Sequence, residues 1–370
     1  MINILEIGLY PAHPDIVFHG LMRVVFHLSH ALSRYDDLNV TVMTPHRMRY
    51  LVKGPFCLHD TKPVVLQCGY ASFLGGMLFR HSFDLIHIHG VSLFTGMALS
   101  HKLRRTRARL LYTAHGLVRM EREMGFLYPS WMEKMEGALL RGVDAVTTVS
   151  DMTRCYLETR YRLDPSSVAV IPNGVDVTAF RPADRSQRTG KRESSLNLLF
   201  VGSLLPVKGI EFLFRTMKLL ENRNVRLRMA GRETDYFRTL AERYRSLFDR
   251  GVVEYLGELD QKRLKEAYAG CDCLILPSYY DQCPQVMLEA MATGKPVIIS
   301  DRIGSRDLVQ HGVNGYIVPY GNPDQLAAAV EKFMENNILT DEMGRAARLR
   351  MVSNTWDHIA NRYRQLFPTI

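Results

Sequence analysis

Residues 277–301 read PSYYDQCPQVMLEAMATGKPVIISD and follow the short apolar run Cys273–Leu276. That run is aliphatic and ends at a proline, which is typical of a buried strand. Pro284 suits the first turn of a helix, apolar residues follow it at helical spacing, and Gly294 suits the helix end. Val297–Ser300 is the next strand. The order of strand, loop, helix and strand predicts a parallel β-α-β unit of an α/β domain.

The loop between this strand and helix lies where parallel sheets usually bind ligands. At the helix start, free backbone N–H groups of Gln285, Val286 and Met287 would form an anion site. Asp281 lies in the loop and Glu289 lies about 7.5 Å along the helix from its start, so neither carboxylate points directly at a bound anion. A diphosphate flanked by sugar hydroxyls suits this arrangement, because carboxylates accept hydrogen bonds from hydroxyls. A structural helix with solvated or capping acids is the alternative.

Asp281, followed by EAMATGKPV at 289–297, resembles the acidic-x7-acidic signature of retaining glycosyltransferases of family 4, which have the GT-B fold. The first acid in that family is usually a glutamate, so Asp281 is a shorter counterpart. The resemblance implies an α/β protein of two Rossmann-like, doubly wound domains facing a cleft. It also implies that Glu289 binds the ribose hydroxyls of a nucleoside-diphosphate sugar and that Asp281 lies near the sugar.

A second segment, GSLLPVKG at 202–209, follows the strand-like run LNLLFVG and resembles the family's Gly-Arg-Leu-x-x-x-Lys-Gly. Glycines after a strand let Gly202 and the side chain of Lys208 approach a diphosphate. The family's arginine is Ser203 here, so donor binding would depend more on Lys208 and on the helix start. The turn at Leu259 matches the family segment that packs on the nucleotide base. For a lone turn of this kind, an ordinary surface turn is the alternative.

The first half of the chain carries weaker matches. His19 and Gly20 stand where the family has a Gly-Gly pair at a helix start, so Gly20 would let the backbone approach the donor phosphate and the acceptor. His19 is an acceptor-site candidate that would narrow the site or supply a hydrogen-bond donor, and a helix-capping or exposed role is the alternative. Thr113–Gly116 resembles the family's Thr-x-His-Gly, whose histidine lies near the donor hexose. His115 is therefore a catalytic candidate that would bind a sugar hydroxyl, and a packed core histidine is the alternative.

Two further features of this half concern the acceptor and a metal. Residues 119–140 are rich in methionine and aromatic residues, which helix packing largely explains. Acceptor or lipid contact is a hypothesis for part of this segment, namely at Met124, Phe126, Leu127, Tyr128 and Trp131. His87 and His89 share one face of the strand-like Asp84–His89, yet no third metal ligand is evident beside them, so a strand end facing the cleft is favoured over a metal site.

Composition limits the classes of function. A chain of 370 residues with 46% hydrophobic residues can form two or three domains with full cores, and six scattered cysteines without a CxxC pair indicate free thiols in a reducing compartment. The N-terminus resembles a first strand and not a signal peptide, which predicts a cytoplasmic protein that is soluble or peripheral on the inner face of the membrane.

The net charge of +9 is spread over both halves, which argues against a nucleic-acid partner. A solvated helix end explains the densest basic cluster, and an anionic membrane surface is the alternative. The cluster consists of Lys102, Arg104, Arg105, Arg107 and Arg109.

The boundaries follow from composition and from the restart of strand and helix patterns. Residues 1–180 form an N-terminal, acceptor-side domain, the polar segment 181–195 is a linker, and residues 196–353 form the donor-binding domain. In this fold the last helix, within residues 354–370, would cross back onto the first domain.

The resemblance implies transfer of a hexosyl group, with retention, from a nucleoside-diphosphate sugar to an acceptor hydroxyl of a sugar or a lipid-linked glycan. Lys208, His115 and Asp281 are the catalytic candidates. No metal or other cofactor is expected, because Lys208 and the helix amides would take its place. Two alternatives stay open: a GT-B epimerase or phosphorylase, and a nucleotide-sugar-binding protein without transferase activity, which the departures at His19, Ser203 and Asp281 would suit. The nucleotide base, the hexose and the acceptor are not identified by the sequence.

Overall fold

The chain divides into two units in a computed structural model, which describes residues 1–10, 20–45, 56–59, 63–68, 83–92, 95–96, 108–182 and 195–370. The first unit consists of Met1–Gly174 and Trp356–Ile370, and the second consists of Val175–Thr355. The boundary therefore lies before the predicted end of the first domain at Phe180, because the Phe180 ring packs against Tyr268 of the second unit. Most of the predicted linker lies outside the described residues.

A sheet of eight described strands forms the centre of the first unit. Its strands are β1 (Ile2–Ile7), β2 (Leu38–Pro45), β3 (Phe56–His59), β4 (Val64–Cys68), β5 (Leu85–His89), β6 (Arg109–Ala114), β7 (Ala145–Thr148) and β8 (Val168–Val170). The order is β3-β4-β2-β1-β5-β6-β7-β8, and only the edge strand β3 is antiparallel. The chain thus moves away from β1 first towards β2 and later towards β5, so the carboxyl ends of β1 and β5 form a topological switch point.

Four of the described helices of this unit precede the second unit in the chain. They are α1 (Leu21–Leu32), α2 (Val118–Glu123), α3 (Ser130–Gly142) and α4 (Asp151–Tyr156), the last continued by a π turn at Leu157–Tyr161. The aromatic-rich segment predicted as helical is two helices, α2 and α3, joined by residues 124–129.

The second unit contains a parallel sheet. Its strands are β9 (Leu196–Val201), β10 (Val225–Ala230), β11 (Val253–Gly257), β12 (Cys273–Leu276), β13 (Val297–Ser300) and β14 (Gly315–Val318). The order β11-β10-β9-β12-β13-β14 is 3-2-1-4-5-6 when counted from β9, which is the order of dinucleotide-binding folds. Strands β12 and β13 are buried along their whole length, as expected for parallel strands covered on both faces. The predicted pair of Rossmann-like α/β domains is confirmed.

Helices cover the second sheet. The described ones are α5 (Ile210–Leu219), α6 (Asp235–Arg243), α7 (Arg245–Asp249), α8 (Gln261–Gly270), α9 (Gln285–Ala292), α10 (Pro323–Glu335) and α11 (Asn337–Val352). Tyr244 ends α6 and precedes α7, so residues 235–249 form two helices and not one. Across the described residues, no helix has the length and apolar character needed to span a membrane.

The last helix, α12 (Trp356–Leu366), belongs to the first unit, as the resemblance implied. Trp356, Ile359 and Tyr363 join the core formed by α1, β1 and β2. Gly174 allows this return, because a Cβ there would lie 2.8 Å from the backbone nitrogen of Trp356. The helix therefore closes the core of a unit whose other elements were completed far earlier in the chain.

Candidate functional site

The candidate donor site lies at the switch point of the second sheet, at the carboxyl ends of β9 and β12. These strands are neighbours, although the chain forms β10 and β11 between them. Strand β9 leads into the turn at 202–209, and β12 leads into the loop at 277–284. The two segments selected from the sequence therefore meet at the edge where open α/β sheets bind ligands.

Backbone contacts fix the turn and the loop against each other. The N–H of Tyr279 donates to the carbonyl of Val207 at 2.8 Å. Gly209 adopts a φ of +71°, and a Cβ at this position would lie 2.0 Å from the carbonyl oxygen of Pro277. Because both the dihedral angle and the contact require glycine, the loop after β12 can approach the Lys208 turn closely.

Lys208 and Asp281 form an ion pair at this point, with Lys208 Nζ donating to Asp281 Oδ2. The two side chains are 20% and 23% exposed. The backbone of Asp281 is held by Gly304, whose N–H donates to its carbonyl at 2.8 Å. The shorter acid thus reaches the lysine of the neighbouring turn, and any phosphate that binds Lys208 competes with the Asp281 carboxylate.

The start of α9 differs from the prediction in two details. Pro284 is the N-cap, with φ −65° and ψ 119°, and not a residue of the first helical turn. The N–H of Met287 donates to the Pro284 carbonyl at 3.1 Å, so it is not free as predicted. For the N–H groups of Gln285 and Val286, no acceptor is found in the described part of the chain. These two amides point from the helix start, where the positive end of the helix dipole lies.

The Gln285 side chain adds a further donor at the helix start. Its Nε2 is buried and makes no hydrogen bond within the described residues. A buried polar group left unpaired costs about 1–3 kcal/mol, so native proteins rarely leave one without a partner or a ligand. Among the predicted donor-binding residues, Gln285 therefore has the clearest unused hydrogen-bonding capacity.

Glu289 lies one turn further along α9 and is only 1% exposed. Its Oε2 accepts a hydrogen bond from the hydroxyl of Tyr268 at 3.0 Å. The predicted role on ribose hydroxyls stays a prediction, and it requires the ligand to reach a carboxylate that Tyr268 now contacts.

The other predicted donor residues lie around the turn after β9. The N–H of Gly202 donates to the carbonyl of Ala230 at 3.0 Å, so it is used within the sheet. Ser203 is exposed. Leu259 is buried at 9% exposure, after a turn in which Gly257 has a φ of +75°. Gly231 allows the close packing of the turn after β9, because a Cβ on Gly231 would lie 1.8 Å from the carbonyl oxygen of Gly202.

A cluster of buried titratable groups lies at the switch point of the first sheet. Glu6 of β1 pairs in register with His87 of β5. The Glu6 carboxylate is fully buried and accepts hydrogen bonds from His87 Nδ1 at 3.1 Å and from His89 Nε2 at 2.5 Å. Burial raises the pKa of Glu6, but the two imidazoles outweigh it and lower the pKa to about 2. The carboxylate is therefore ionised in the folded protein.

Sequence reasoning missed Glu6 as the third member of this cluster. Ligand atoms of Glu6, His87 and His89 lie within 4.8 Å of one another, a spacing that could hold a metal ion. The signal was available, because pairing the first strand with the His-x-His strand in a doubly wound sheet brings residue 6 beside residue 87. Hydrogen bonds from the two imidazole N–H groups to the Glu6 carboxylate are enough to explain why these three side chains lie so close together.

His115, which follows β6, extends this cluster towards the surface. Its Nε2 lies 2.9 Å from His89 Nδ1, and the two rings stack with centroids 5.2 Å apart. His115 is half-buried, and burial lowers its pKa well below the usual value. Gly20 begins α1 with a φ of +55°. His19 lies outside the described residues.

The acceptor candidates surround the connection between α2 and α3. Leu127 is 97% exposed and Trp131 is 42% exposed, whereas Met124 and Phe126 are half-buried. The hydroxyl of Tyr128 donates to the carboxylate of Glu121, which ties it to α2. Two large apolar side chains, Leu127 and Trp131, are therefore exposed at or next to this connection. Most of the basic cluster, at 102–107, lies outside the described residues.

Comparison with family models and curated relatives extends over most of the chain. Residues 18–179 match the model described as Glycosyltransferase Family 4, and residues 183–350 match Glycosyl transferases group 1. An uncharacterized glycosyltransferase of Methanocaldococcus jannaschii is 29% identical over 300 residues, which cover 77% of this chain and 75% of the relative. A D-inositol 3-phosphate glycosyltransferase of Nocardioides sp. is 28% identical over 244 residues, which cover 61% of this chain and 53% of that relative, about half its length.

Solved structures agree on the fold. Sucrose-phosphate synthase from Thermosynechococcus elongatus superposes with a TM-score of 0.82 at 21% identity, with all of both chains covered. HepE from Anabaena, solved in complex with UDP-glucose, gives a TM-score of 0.75 at 19% identity, again over all of both chains.

Proposed function

Because the chain belongs to the group 1 glycosyltransferases of family 4, which have the GT-B fold, we propose that it transfers a hexosyl group from a nucleoside-diphosphate sugar to an acceptor hydroxyl with retention of configuration. One observation carries this proposal: Lys208 and the amide-rich start of α9 converge at the β9/β12 switch point. A cation and helix-start donors suit a diphosphate. Gln285 Nε2, buried and unpaired among the described residues, suits a phosphate or sugar oxygen.

The proposed chemistry needs little from the protein besides charge stabilisation. The bond between the sugar C1 and the diphosphate oxygen breaks, and the acceptor oxygen bonds to C1 on the same face. The acceptor proton passes to the departing phosphate. Lys208, the α9 amides and Gln285 would stabilise the negative charge that develops on the leaving group, which is the main electrostatic contribution expected of such a site. On this proposal the phosphate charge is met by these groups without a metal ion.

The ion pair between Lys208 and Asp281 gives the donor site a second role. When a phosphate binds Lys208, the Asp281 carboxylate is released from the pair and becomes available to accept hydrogen bonds from sugar hydroxyls. This exchange would couple diphosphate binding to recognition of the hexose.

The same pair is also the observation that favours the second candidate function, a nucleotide-sugar-binding protein without turnover, because Asp281 neutralises the cation on which the leaving group would depend.

A thermal-shift screen of UDP, GDP and ADP and their hexose derivatives, with EDTA or with Mg²⁺, tests donor binding. The UDP series comes first, because the similar HepE structure contains UDP-glucose. A metal-independent shift with one series is expected, and it should be lost in Lys208→Ala. The matched control is Lys218→Ala, an exposed lysine on α5 that pairs with Glu221 at 2.7 Å. No shift with any nucleotide in the wild-type protein would contradict the proposal.

Turnover separates the transferase from the binding protein. With the donor identified, incubation with glycolipid and free-sugar acceptors should release one nucleoside diphosphate for each new glycoside that forms. NMR of the product's anomeric proton should show the same anomeric configuration as in the donor. Binding without turnover across these acceptors would favour the second function. Conversion of the donor sugar without any acceptor would favour an epimerase or a phosphorylase.

We also propose a lipid-linked acceptor, as in glycolipid, lipopolysaccharide or surface polysaccharide synthesis, reached from the cytoplasmic face of a membrane. Leu127 and Trp131 support this proposal, because exposed apolar side chains between polar helices are typical of surfaces that contact lipid or a partner. Flotation with anionic vesicles tests it, and Leu127→Ser should weaken the association. Equal recovery of both proteins with the vesicles would contradict this role of Leu127.

A further inference from the structure

The buried cluster at the switch point of the first sheet has a defined arrangement of protons. Glu6 is ionised and both of its oxygens accept hydrogen bonds, so the facing nitrogens, His87 Nδ1 and His89 Nε2, must each carry a proton. Both strands that hold these groups are buried at this point, and none of the three side chains is more than 5% exposed.

The second nitrogen of His89 then determines the state of His115. Burial and the neighbouring His87 lower the pKa of His89 to about 4, so at neutral pH the ring carries one proton, on Nε2. Its Nδ1 is left as an acceptor, 2.9 Å from His115 Nε2. A hydrogen bond at this distance requires one proton between the two nitrogens, and His115 must therefore supply it from Nε2.

We propose that Glu6 and His89 are positioning residues that hold His115 as a single neutral tautomer, protonated on Nε2 and bare on Nδ1. Hydrogen bonds connect the Glu6 carboxylate to His89 and His89 to His115. The buried charge of Glu6 therefore determines which nitrogen of His115 is protonated, although Glu6 does not contact His115. In the described part of the chain, no group hydrogen-bonds to His115 Nδ1. The half-buried ring thus offers a ligand an acceptor atom.

The tautomer selects the kind of ligand group that His115 can bind. A bare Nδ1 accepts a hydrogen bond from a hydroxyl, whereas a protonated nitrogen would donate to a phosphate or carbonyl oxygen. The bare Nδ1 therefore suits the role on a sugar hydroxyl that the family resemblance implies for His115, and not a role on the diphosphate; that role rests on the proposed function, but the tautomer itself does not.

The same cluster contains a second branch that does not reach His115. His87 Nε2 lies 2.7 Å from Thr113 Oγ1, which in turn lies 2.6 Å from Thr147 Oγ1 and 3.2 Å from the hydroxyl of Tyr363. Burial raises the pKa of Tyr363 to about 12, so its hydroxyl stays protonated. His87 thus shares the carboxylate with His89 and has the same burial, which makes it the matched control.

Nitrogen-15 NMR of the full chain labelled with [15N]histidine tests the proposal directly. The expected spectrum at neutral pH in EDTA has a protonated Nε2 and a bare Nδ1 for His115, with a coupling through the hydrogen bond to His89 Nδ1. His115→Gln identifies the signals. A proton on Nδ1 of His115, both nitrogens of His89 protonated, or fast exchange between tautomers at His115 would each overturn the proposal. A metal held by Glu6, His87 and His89 would leave His87 Nδ1 and His89 Nε2 without protons, which would also overturn it.

Two substitutions test which residue sets the tautomer. His89→Phe should remove the coupling and let His115 populate both tautomers, whereas His87→Phe should leave the His115 signals at their wild-type positions. A single unchanged tautomer in folded His89→Phe would show that His115 does not depend on His89. If either variant fails to fold, the wild-type spectrum still decides the proposal.

The link to the donor is measured separately. In His89→Phe, affinity for the nucleotide sugar should fall while affinity for the free nucleoside diphosphate stays unchanged. A correct His115 tautomer with no nucleotide-sugar binding would count against the proposed function and leave the tautomer assignment intact. Equal loss for both ligands would overturn the assignment of His115 to a hydroxyl.

Discussion

Acid should destabilise the first unit through His89 at a pH where the buried Glu6 carboxylate is still ionised. Burial and His87 lower the pKa of His89 from 6.5 to about 4, despite the opposing effect of Glu6. Between these values the unfolded chain binds a proton that the folded protein does not, so the free energy of unfolding falls as the pH falls. For one such group the loss between about pH 7.5 and about pH 5 is about 2 kcal/mol.

The neighbouring groups change this figure in known directions. The pKa of His115 is lowered well below its usual value by burial, so His115 adds to the loss over the same range. The pKa of Glu6 is lowered from 4.5 to about 2, so the stability that Glu6 contributes is lost only at lower pH, between about 4.5 and about 2. Burial raises the pKa of Glu136 in the same unit, so Glu136 acts in the opposite direction as the pH falls. The difference between the wild-type protein and His89→Phe therefore reports the contribution of His89.

Tryptophan fluorescence can follow the first unit alone, because the chain has two tryptophans, Trp131 and Trp356, and both lie in that unit. Urea unfolding at several pH values gives the free energy of unfolding from the midpoint and slope. His89→Phe should flatten the pH dependence by about 2 kcal/mol over the window, whereas His87→Phe should retain most of it. A His89→Phe protein with the wild-type pH dependence would refute the reasoning.

Other predictions concern the second unit. Lys208→Ala should weaken nucleoside-diphosphate binding by about 1.5–3 kcal/mol, the range for hydrogen bonds to charged groups, and unchanged calorimetric affinity would remove Lys208 from the site. Glu289→Ala should weaken nucleotide binding by about the same amount, while Tyr268→Phe, which removes one hydrogen bond to the Glu289 carboxylate, should not. Asp281→Asn should lower turnover more than nucleotide affinity, and a wild-type rate would show that this acid is idle. Gly209→Ala should lower the melting temperature more than Gly251→Ala. Both positions have positive φ, but only a Cβ at residue 209 would lie 2.0 Å from the carbonyl oxygen of Pro277. Equal shifts would mean that the backbone at Pro277 moves away from the new Cβ at little cost.

The sequence predicted those parts of the fold that short-range patterns determine. The strands around 273–276 and 297–300 and the helix between them agree with the structure to within one residue at the helix start. The break at Tyr244 was not predicted, because the apolar residues of α6 and α7 keep one helical period across it. The domain boundary was placed after Phe180, since its contact with Tyr268 joins residues far apart in the chain.

The site was predicted only where motifs are local. Lys208 and Asp281 were identified separately from their own segments, but their ion pair depends on β9 and β12 being neighbours in the sheet. Glu6 was missed because, read along β1 alone, a glutamate among apolar residues simply interrupts the run. Its meaning comes from the register with β5, which pairs it with His87. Strand order is thus the information that a single sequence does not state.

The return of α12 to the first unit has a consequence for how the chain folds. The core of that unit cannot close until Trp356 and its neighbours have been synthesised, after the whole of residues 175–355. Closing a flexible loop of that length costs about 4–5 kcal/mol of chain entropy. Within the second unit, however, the N–H of Val175 donates to the carbonyl of Asn354 at 3.0 Å, so folding brings its two ends together. Once the second unit has folded, the loop to be closed is effectively only a few residues long. Folding of residues 175–355 therefore lowers the entropy cost of bringing α12 back to the first unit.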